Sequence, residues 1–291
     1  MLPASQLTAD LVDAVTGVEI PFNGDADDYG VTWTMAEIDG WDSADLEEGA
    51  QGKAGQDGMW DTENFYGGRT ISIKGKLVAP TYAAREAAAY RLAQAVPRNR
   101  LATFTMNETT PKWVLARRSG RLMNGPVTDT INEFSISMLA PDPRLYGATR
   151  VSGTITAAAA GGGLAPPWTP PVLIPASASA PSTITLTNTG IYDTPPVITF
   201  RGPGSDVSIY NYSTQLLLAY DIDLAASDFL VVDVASGVAL LNGTAPRPPT
   251  TSSCVTSQFL LEPGDNLLKI FGTLTAVTPP SADIAFYSAW I

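Results

Sequence analysis

The sequence predicts a mainly β protein with one helix, in two domains joined by a linker. Three observations predict it. Apolar and polar residues alternate in short runs, such as Ile71, Ile73 and Leu77 against Thr70, Ser72, Lys74 and Lys76, the period of a strand with one dry face. Turn formers punctuate these runs, with 25 Gly and 23 Pro among 291 residues. One stretch alone, residues 80–97, reads as a helix, and from residue 157 the composition shifts to Ala, Gly and Pro, which cannot build a core. The expected division is a first domain over 1–150, a linker over 151–182 and a second domain over 183–291.

In the first domain, Val18, Ile20 and Phe22 alternate with Glu19 and Pro21, and Thr16 and Gly17 offer a turn, so a strand or hairpin opens the chain. The acidic run 23–29 invites comparison with a calcium loop. With Asn23 in the first position, Asp28 falls where Gly is required and Thr34 where the bidentate Glu is required, so a solvated turn is the reading. Val31, Trp33 and Met35 mark a strand. Residues 39–61 are rich in acids and Gly with little periodicity. A loop that long inside a domain is uncommon and usually functional, and Trp41 and Trp60 are its candidate apolar anchors. Gly67 and Gly68 precede the strand that Arg69 opens, and Gly75 inside it suggests a bulge or a close backbone approach. The helix takes Thr81 as N-cap and stops at Pro97; Tyr82, Glu86 and Tyr90 share one side, and Ala83, Ala87 and Leu92 form the expected packing face. Strands follow over 101–106 and 112–118, Asn124 and Gly125 signal a turn, and Phe134, Ile136 and Met138 mark the last strand. Arg117, Arg118 and Arg121 form the local basic cluster, a solvated strand end that could pair with the acidic loop of the same or a neighbouring chain.

The linker reads as a Gly hinge followed by a polyproline spacer. Beyond it, strand candidates recur about every ten residues with no helix between, the pattern of a sandwich: 184–189, 197–201, 207–210, 216–221, 229–234, 238–242, 259–262, 267–272 and 284–290. Ser236-Gly237 and Asn242-Gly243 supply hairpin turns.

Net charge is −12, divided equally between residues 1–150 (20 acids, 14 bases) and 151–291 (9 acids, 3 bases). Neither half is basic, which argues against sequence-specific nucleic acid and anionic membranes as partners. The chain has no His and a single Cys, Cys254. That removes the commonest general base and metal ligand and any internal disulfide; no cofactor or metal site is expected. No apolar run approaches the roughly 20 residues that span a bilayer, and the N-terminus lacks the pattern of a signal peptide; folding in a reducing cytoplasm is expected.

Several pieces resemble a known family. Phe65, Tyr66, Gly67, Gly68 and Arg69, then an alternating strand, then an Ala-rich helix, are similar to the N-terminal domain of phage distal tail proteins, the hub subunits at the tip of long-tailed phages. Residues 141–146 (PDPRLY) resemble the exit from that domain. Residues 195–205 (PPVITFRGPGS), 229–243 (FLVVDVASGVALLNG), 261–269 (LEPGDNLLK) and 285–291 (AFYSAWI) resemble, in order, its C-terminal domain. The resemblance implies a ring-forming tail-hub domain followed by a galectin-like or carbohydrate-module-like sandwich. It further implies a structural virion protein at the tail tip, made in the host cytoplasm and closing into a ring, a hexamer in the family. Its partners would be copies of itself, the tail tube protein, a tail-associated or central fibre protein, and the tape measure protein. Candidate ring and partner contacts are Trp41, Trp60, Arg69, Arg117 and Arg118.

Two rival readings remain. The sandwich could bind host cell-wall glycan through Tyr210, Tyr212, Tyr220 or Trp168, as a minor tail protein that attaches to the host. A carboxylate pair among Asp221, Asp223, Asp228 and Asp233 could hydrolyse a glycosidic bond, although without His the usual nucleophilic triads are out of reach and a non-enzyme is expected.

Overall fold

The computed structural model describes residues 7–158, 182–273 and 278–291. The chain divides into two compact units, Met1–Ala148 and Thr149–Trp290.

In the first unit, β1 (Thr8–Asp13) and β2 (Val18–Phe22) form the expected hairpin, turning at Gly17 with φ 69°. β3 (Thr32–Asp39) follows, then four short strands, β4 (Leu46–Glu47), β5 (Gln51–Gly52), β6 (Met59–Trp60) and β7 (Phe65–Tyr66). Then come β8 (Arg69–Val78), the helix α1 (Tyr82–Ala95), β9 (Ala102–Asn107), β10 (Lys112–Arg118), β11 (Met123–Pro126) and β12 (Ile131–Ala140). β13 (Leu145–Thr156) begins here and runs on into the second unit.

The main sheet runs β11-β12-β8-β3-β2-β1-β9-β10, and β10 pairs back onto β12 through Arg117–Leu139 and Arg118–Met138. The strands from β12 round to β10 therefore close on themselves, which removes free sheet edges. Single-sequence patterning does not announce that closure. Every second residue of β8, from Arg69 through Ile71, Ile73 and Gly75 to Leu77, faces inward, where Trp33, Phe22, Phe104, Phe134 and Met138 are fully or almost fully buried. Each such large side chain contributes about 1.5–3 kcal/mol through removal from water.

Gly75 lies opposite a bulge in β3 between Met35 and Glu37, and a side chain there would run into the Thr34 carbonyl and the Phe134 ring. Asp27, in the acidic turn, is committed to the fold. Its Oδ1 accepts the backbone N–H of Tyr29 and Val31, and its Oδ2 accepts the Trp33 indole N–H at 2.9 Å and pairs with Arg91.

α1 starts where Thr81 caps it, its hydroxyl accepting the Ala84 N–H at 3.2 Å. Its buried side is Arg85, Ala88, Leu92 and Ala95, while Ala83 and Ala87 are exposed. The packing face is thus turned from the one expected, and Arg85 can sit in it because its guanidinium donates to the Thr128 carbonyl at 2.7 Å. A second difference concerns Asn124 and Gly125, which lie inside β11 facing Phe134 and Glu133, with the turn falling at 127–130. The Asn124 side chain accepts from Asn132 across the pair, and Pro126 still leaves a strand of four residues.

In the second unit the strands are β14 (Thr183–Asn188), β15 (Val197–Arg201), β16 (Gly204–Asn211), β17 (Leu216–Ala219), β18 (Asp223–Leu224), β19 (Phe229–Asp233), β20 (Val238–Leu241), β21 (Ala245–Pro246), β22 (Gly264–Thr273) and β23 (Ser281–Trp290). One sheet runs β13-β23-β15-β19-β20-β21 and the other β14-β22-β16-β17, with β18 beside β16. Both contribute inward residues to one core, Phe200, Leu230 and Ile284 from the first and Leu186, Ile209 and Ile270 from the second, which makes a sandwich.

Two expectations are corrected. Residues 151–156, assigned to the linker, continue β13, and Ile155 and Ala157 are buried in this core, because the run from Val151 keeps an apolar residue on the inward side. The glycine and proline runs and Trp168, within 159–181, lie outside the described residues. Residues 259–262 form no strand; a single 3-10 turn, Thr256–Gln258, precedes an isolated bridge from Leu261 to Thr194.

Candidate assembly surface

Between β3 and β8 the chain leaves the barrel as an arm. β4 pairs with β7, and further out β5 pairs with β6, so two short ladders are nested along one hairpin. The root is built from Arg69, whose side chain is wholly buried. Its Nε donates to the Pro143 carbonyl at 2.8 Å, and Nη1 donates to the carbonyls of Gly40 at 2.9 Å and Trp41 at 2.6 Å. Burial pulls the guanidinium pKa down and nearby Asp42 pushes it back up; three carbonyl acceptors explain how a charge is tolerated there. Gly40 has φ 79°, and a side chain there would meet the Thr70 backbone carbonyl. Trp41 is buried beside them, its ring edge-on to Phe104 at 5.5 Å and its indole N–H donating to Glu108 at 2.7 Å. Asp142, in the exit segment, accepts from the Arg144 backbone N–H and from the Tyr146 hydroxyl at 2.6 Å, and burial pushes that hydroxyl's pKa up.

Arg69 and Trp41 are therefore corrected from surface contacts to the arm's foundation, since neither presents side-chain area to a partner. Trp60 stands where the loop reading put it. Leu46, Met59, Trp60 and Phe65 are between 56% and 66% exposed, and Lys53 lies 4.9 Å over the Trp60 ring. Leu46, Met59 and Phe65 are not among the contacts expected from sequence because they obey no period; the signal was large apolar residues scattered among acids and glycines. Exposed aromatics at that density characterise interface surfaces more than free ones.

Charge is distributed as unevenly as apolar area. Residues 41–66 carry seven acids, Asp42, Asp45, Glu47, Glu48, Asp57, Asp61 and Glu63, against one base, Lys53; the other residues of 1–150 carry thirteen of each. The whole net charge of this half resides on the arm. Elsewhere on the same unit, Arg117 is exposed and Arg118 half-buried at the end of β10. The Arg118 N–H donates to the Pro97 carbonyl, which places Arg98 alongside, and Arg121 follows after one turn of chain. Among the described residues none of these four arginines has a carboxylate partner.

In the second unit, Tyr220 is buried, its hydroxyl within 3.2 Å of that of Thr256; it is core and not a ligand platform. Tyr210 and Tyr212 do come together, ring centroids 4.9 Å apart at 83°, on the outer face of the second sheet. Tyr210 is paired with Lys269, and Leu267 and Phe271 are exposed on the same face. Asp228 accepts from the Ala225 N–H and the Asn242 side chain, and Asp233 from the Ala235 N–H, so both shape turns. Cys254 is half-buried against the core, and burial pushes its thiol pKa up.

Residues 189–290 match the family model of the siphovirus-type tail component, C-terminal domain. The fold is similar to that of the Dit protein of phage SPP1, described as a paradigm of hub adsorption apparatus in Gram-positive-infecting phages: 16% identity over 92% of this chain and 97% of that one, TM-score 0.59. A chain of the phage P2 baseplate, in its activated conformation with calcium, is more distant, at 8% identity over 96% of this chain and 97% of that one, TM-score 0.48. No curated protein matches. The resemblance to siphophage distal tail proteins thus has support over both units, from the domain model in the second and from the shared fold over the chain.

Proposed function

We propose that this chain, with a siphovirus-type tail-component domain and the fold of a Dit hub protein, is a distal tail protein that closes into a ring with copies of itself and joins the tail tube to the tail-tip complex. A hexamer is the expected ring, with the tail tube protein at one rim and the central fibre protein and tape measure protein as further contacts. The protein acts by assembly and catalyses nothing; two of its four candidate acids, Asp228 and Asp233, already serve as turn acceptors. The observation that carries the reading is the arm, whose Leu46, Met59, Trp60 and Phe65 stand more than half exposed among the described residues and would be buried by a neighbour.

Light scattering and negative-stain microscopy test it. The expected result is a closed ring of about six times the 30.6 kDa chain mass, from a head-to-tail contact whose rotation closes. Replacing residues 45–66 by a short Gly-Ser turn is expected to leave the melting temperature of the barrel within about 3 °C, because the arm adds nothing to the core, and to abolish the ring. A wild-type protein that stays monomeric at high concentration would retire the hub.

The pair of exposed Tyr212 and half-buried Tyr210, with Phe271 and Lys269 on the same face, favours a second reading, cell-wall glycan binding by the sandwich. Tyr212→Ala would then lower retention on cell-wall polysaccharide by roughly tenfold, the loss of about 1–1.5 kcal/mol of aromatic contact. Equal or absent retention of both proteins would sink it.

A further inference from the structure

The arm and the arginine cluster are two unmatched charges of opposite sign on one unit, and we infer that Arg98, Arg117, Arg118 and Arg121 form the seat for the acidic arm of a second copy. The inference rests on the hub reading and specifies its seam. Three observations carry it.

The first is complementarity. Seven of the twenty acids of residues 1–150 lie on the arm, and these four arginines have no carboxylate partner among the described residues. Opposed patches of this kind orient an encounter and reject wrong partners.

The second is reach. Arg117 faces Leu139, and Leu139 faces Thr70 beside the arm's root. The patch is therefore two strand spacings from the root, roughly 10 Å. The arm runs about ten residues out from Asp45 to its tip, roughly 30 Å when extended. The arm is thus longer than the span to its own patch, and Asp57 and Asp61, on its outer part, are within reach of a neighbour's.

The third is asymmetry. The arm and the seat are different surfaces, so their union is head-to-tail and generates a ring, whereas a self-complementary patch would stop at a dimer. Exposed ion pairs are individually weak. Leu46, Met59, Trp60 and Phe65 supply adhesion, and the charges supply register and order.

The test uses the full chain and four proteins: wild type, the patch variant Arg117→Glu/Arg118→Glu, the arm variant Asp57→Lys/Asp61→Lys, and the chain carrying all four changes. Each double variant is expected to raise the concentration for half-assembly roughly tenfold or more, and 1 M NaCl, where the screening length falls to about 3 Å, is expected to weaken the wild-type ring. Mixing the two double variants is expected to restore rings, since each acidic arm then finds an arginine patch and each lysine arm a glutamate patch; the fourfold chain is expected to restore them alone. If a double variant fails to fold by circular dichroism, Arg117→Gln/Arg118→Gln takes its place, with loss of the salt dependence as the readout.

Wild-type rings together with variants that assemble as wild type, or no rescue on mixing, overturn the seat and leave the hub standing. Retention of duplex DNA by the patch, with assembly indifferent to its reversal, also overturns the seat. A wild type without rings removes both.

Discussion

Arg69→Met is expected to lower the unfolding free energy of the first unit by about 3–5 kcal/mol. Methionine fills much of the same volume and donates nothing. The carbonyls of Gly40, Trp41 and Pro143, all bound by Arg69, would be left without a partner in a dry site, at about 1–3 kcal/mol each. Relief from burying a charge offsets part of that sum. Arg69→Lys should recover only a fraction, because an ammonium on a flexible stem lacks the planar fork that meets carbonyls on two sides. Urea unfolding followed by tryptophan emission reports the change, with Trp41 beside the site. A loss under about 1 kcal/mol for the methionine variant would mean that the arm's root is held by other contacts. In the ring assay the same variant should weaken assembly beyond its effect on folding, since the arm would swing on a loosened base.

Asp13→Asn is expected to cost about 2–3 kcal/mol at neutral pH and to flatten the acid limb of the stability curve. The Asp13 carboxylate is fully buried. It accepts from Arg100 through both oxygens, from the Thr16 hydroxyl at 2.6 Å and from the Val15 N–H at 3.2 Å. The Arg100 hydrogen bonds, outweighing burial, hold the carboxyl far below the usual carboxylate range. A depressed folded-state pKa means that the stabilisation is fully present above the unfolded value near 3.9 and is lost as pH falls through that value toward the folded one. Unfolding free energies at pH 7, 5, 4 and 3 should therefore fall less steeply for Asp13→Asn than for wild type. Parallel curves would show that other carboxylates govern acid unfolding.

Much of this fold was legible because the inward residues obey a strict period. β8 and β12 were readable residue by residue, and α1 was delimited by Thr81 and Pro97 because capping is local chemistry. What failed was decided by partners distant in sequence. The helix face was misjudged because Arg85 finds the Thr128 carbonyl, 43 residues on. Asn124 and Gly125 read as a turn, but four β11 residues pair with β12. Arg69 shows the same limit at the candidate site: an arginine opening a strand reads as a surface charge unless the carbonyls of residues 40, 41 and 143 are known to converge on it. Trp60 and Arg117 could be singled out because both are anomalies in their own neighbourhood, an aromatic among acids and a base in an acidic chain. Barrel closure through Arg117 and Arg118 left no local mark at all.

Cys254 has one more use. It is the only sulfhydryl in 291 residues, it packs on the sandwich core, and its raised pKa keeps the reactive thiolate scarce while that core is shut. Alkylation by a maleimide would therefore label the sandwich alone, faster as its core opens, with the barrel and its arm silent to the reagent.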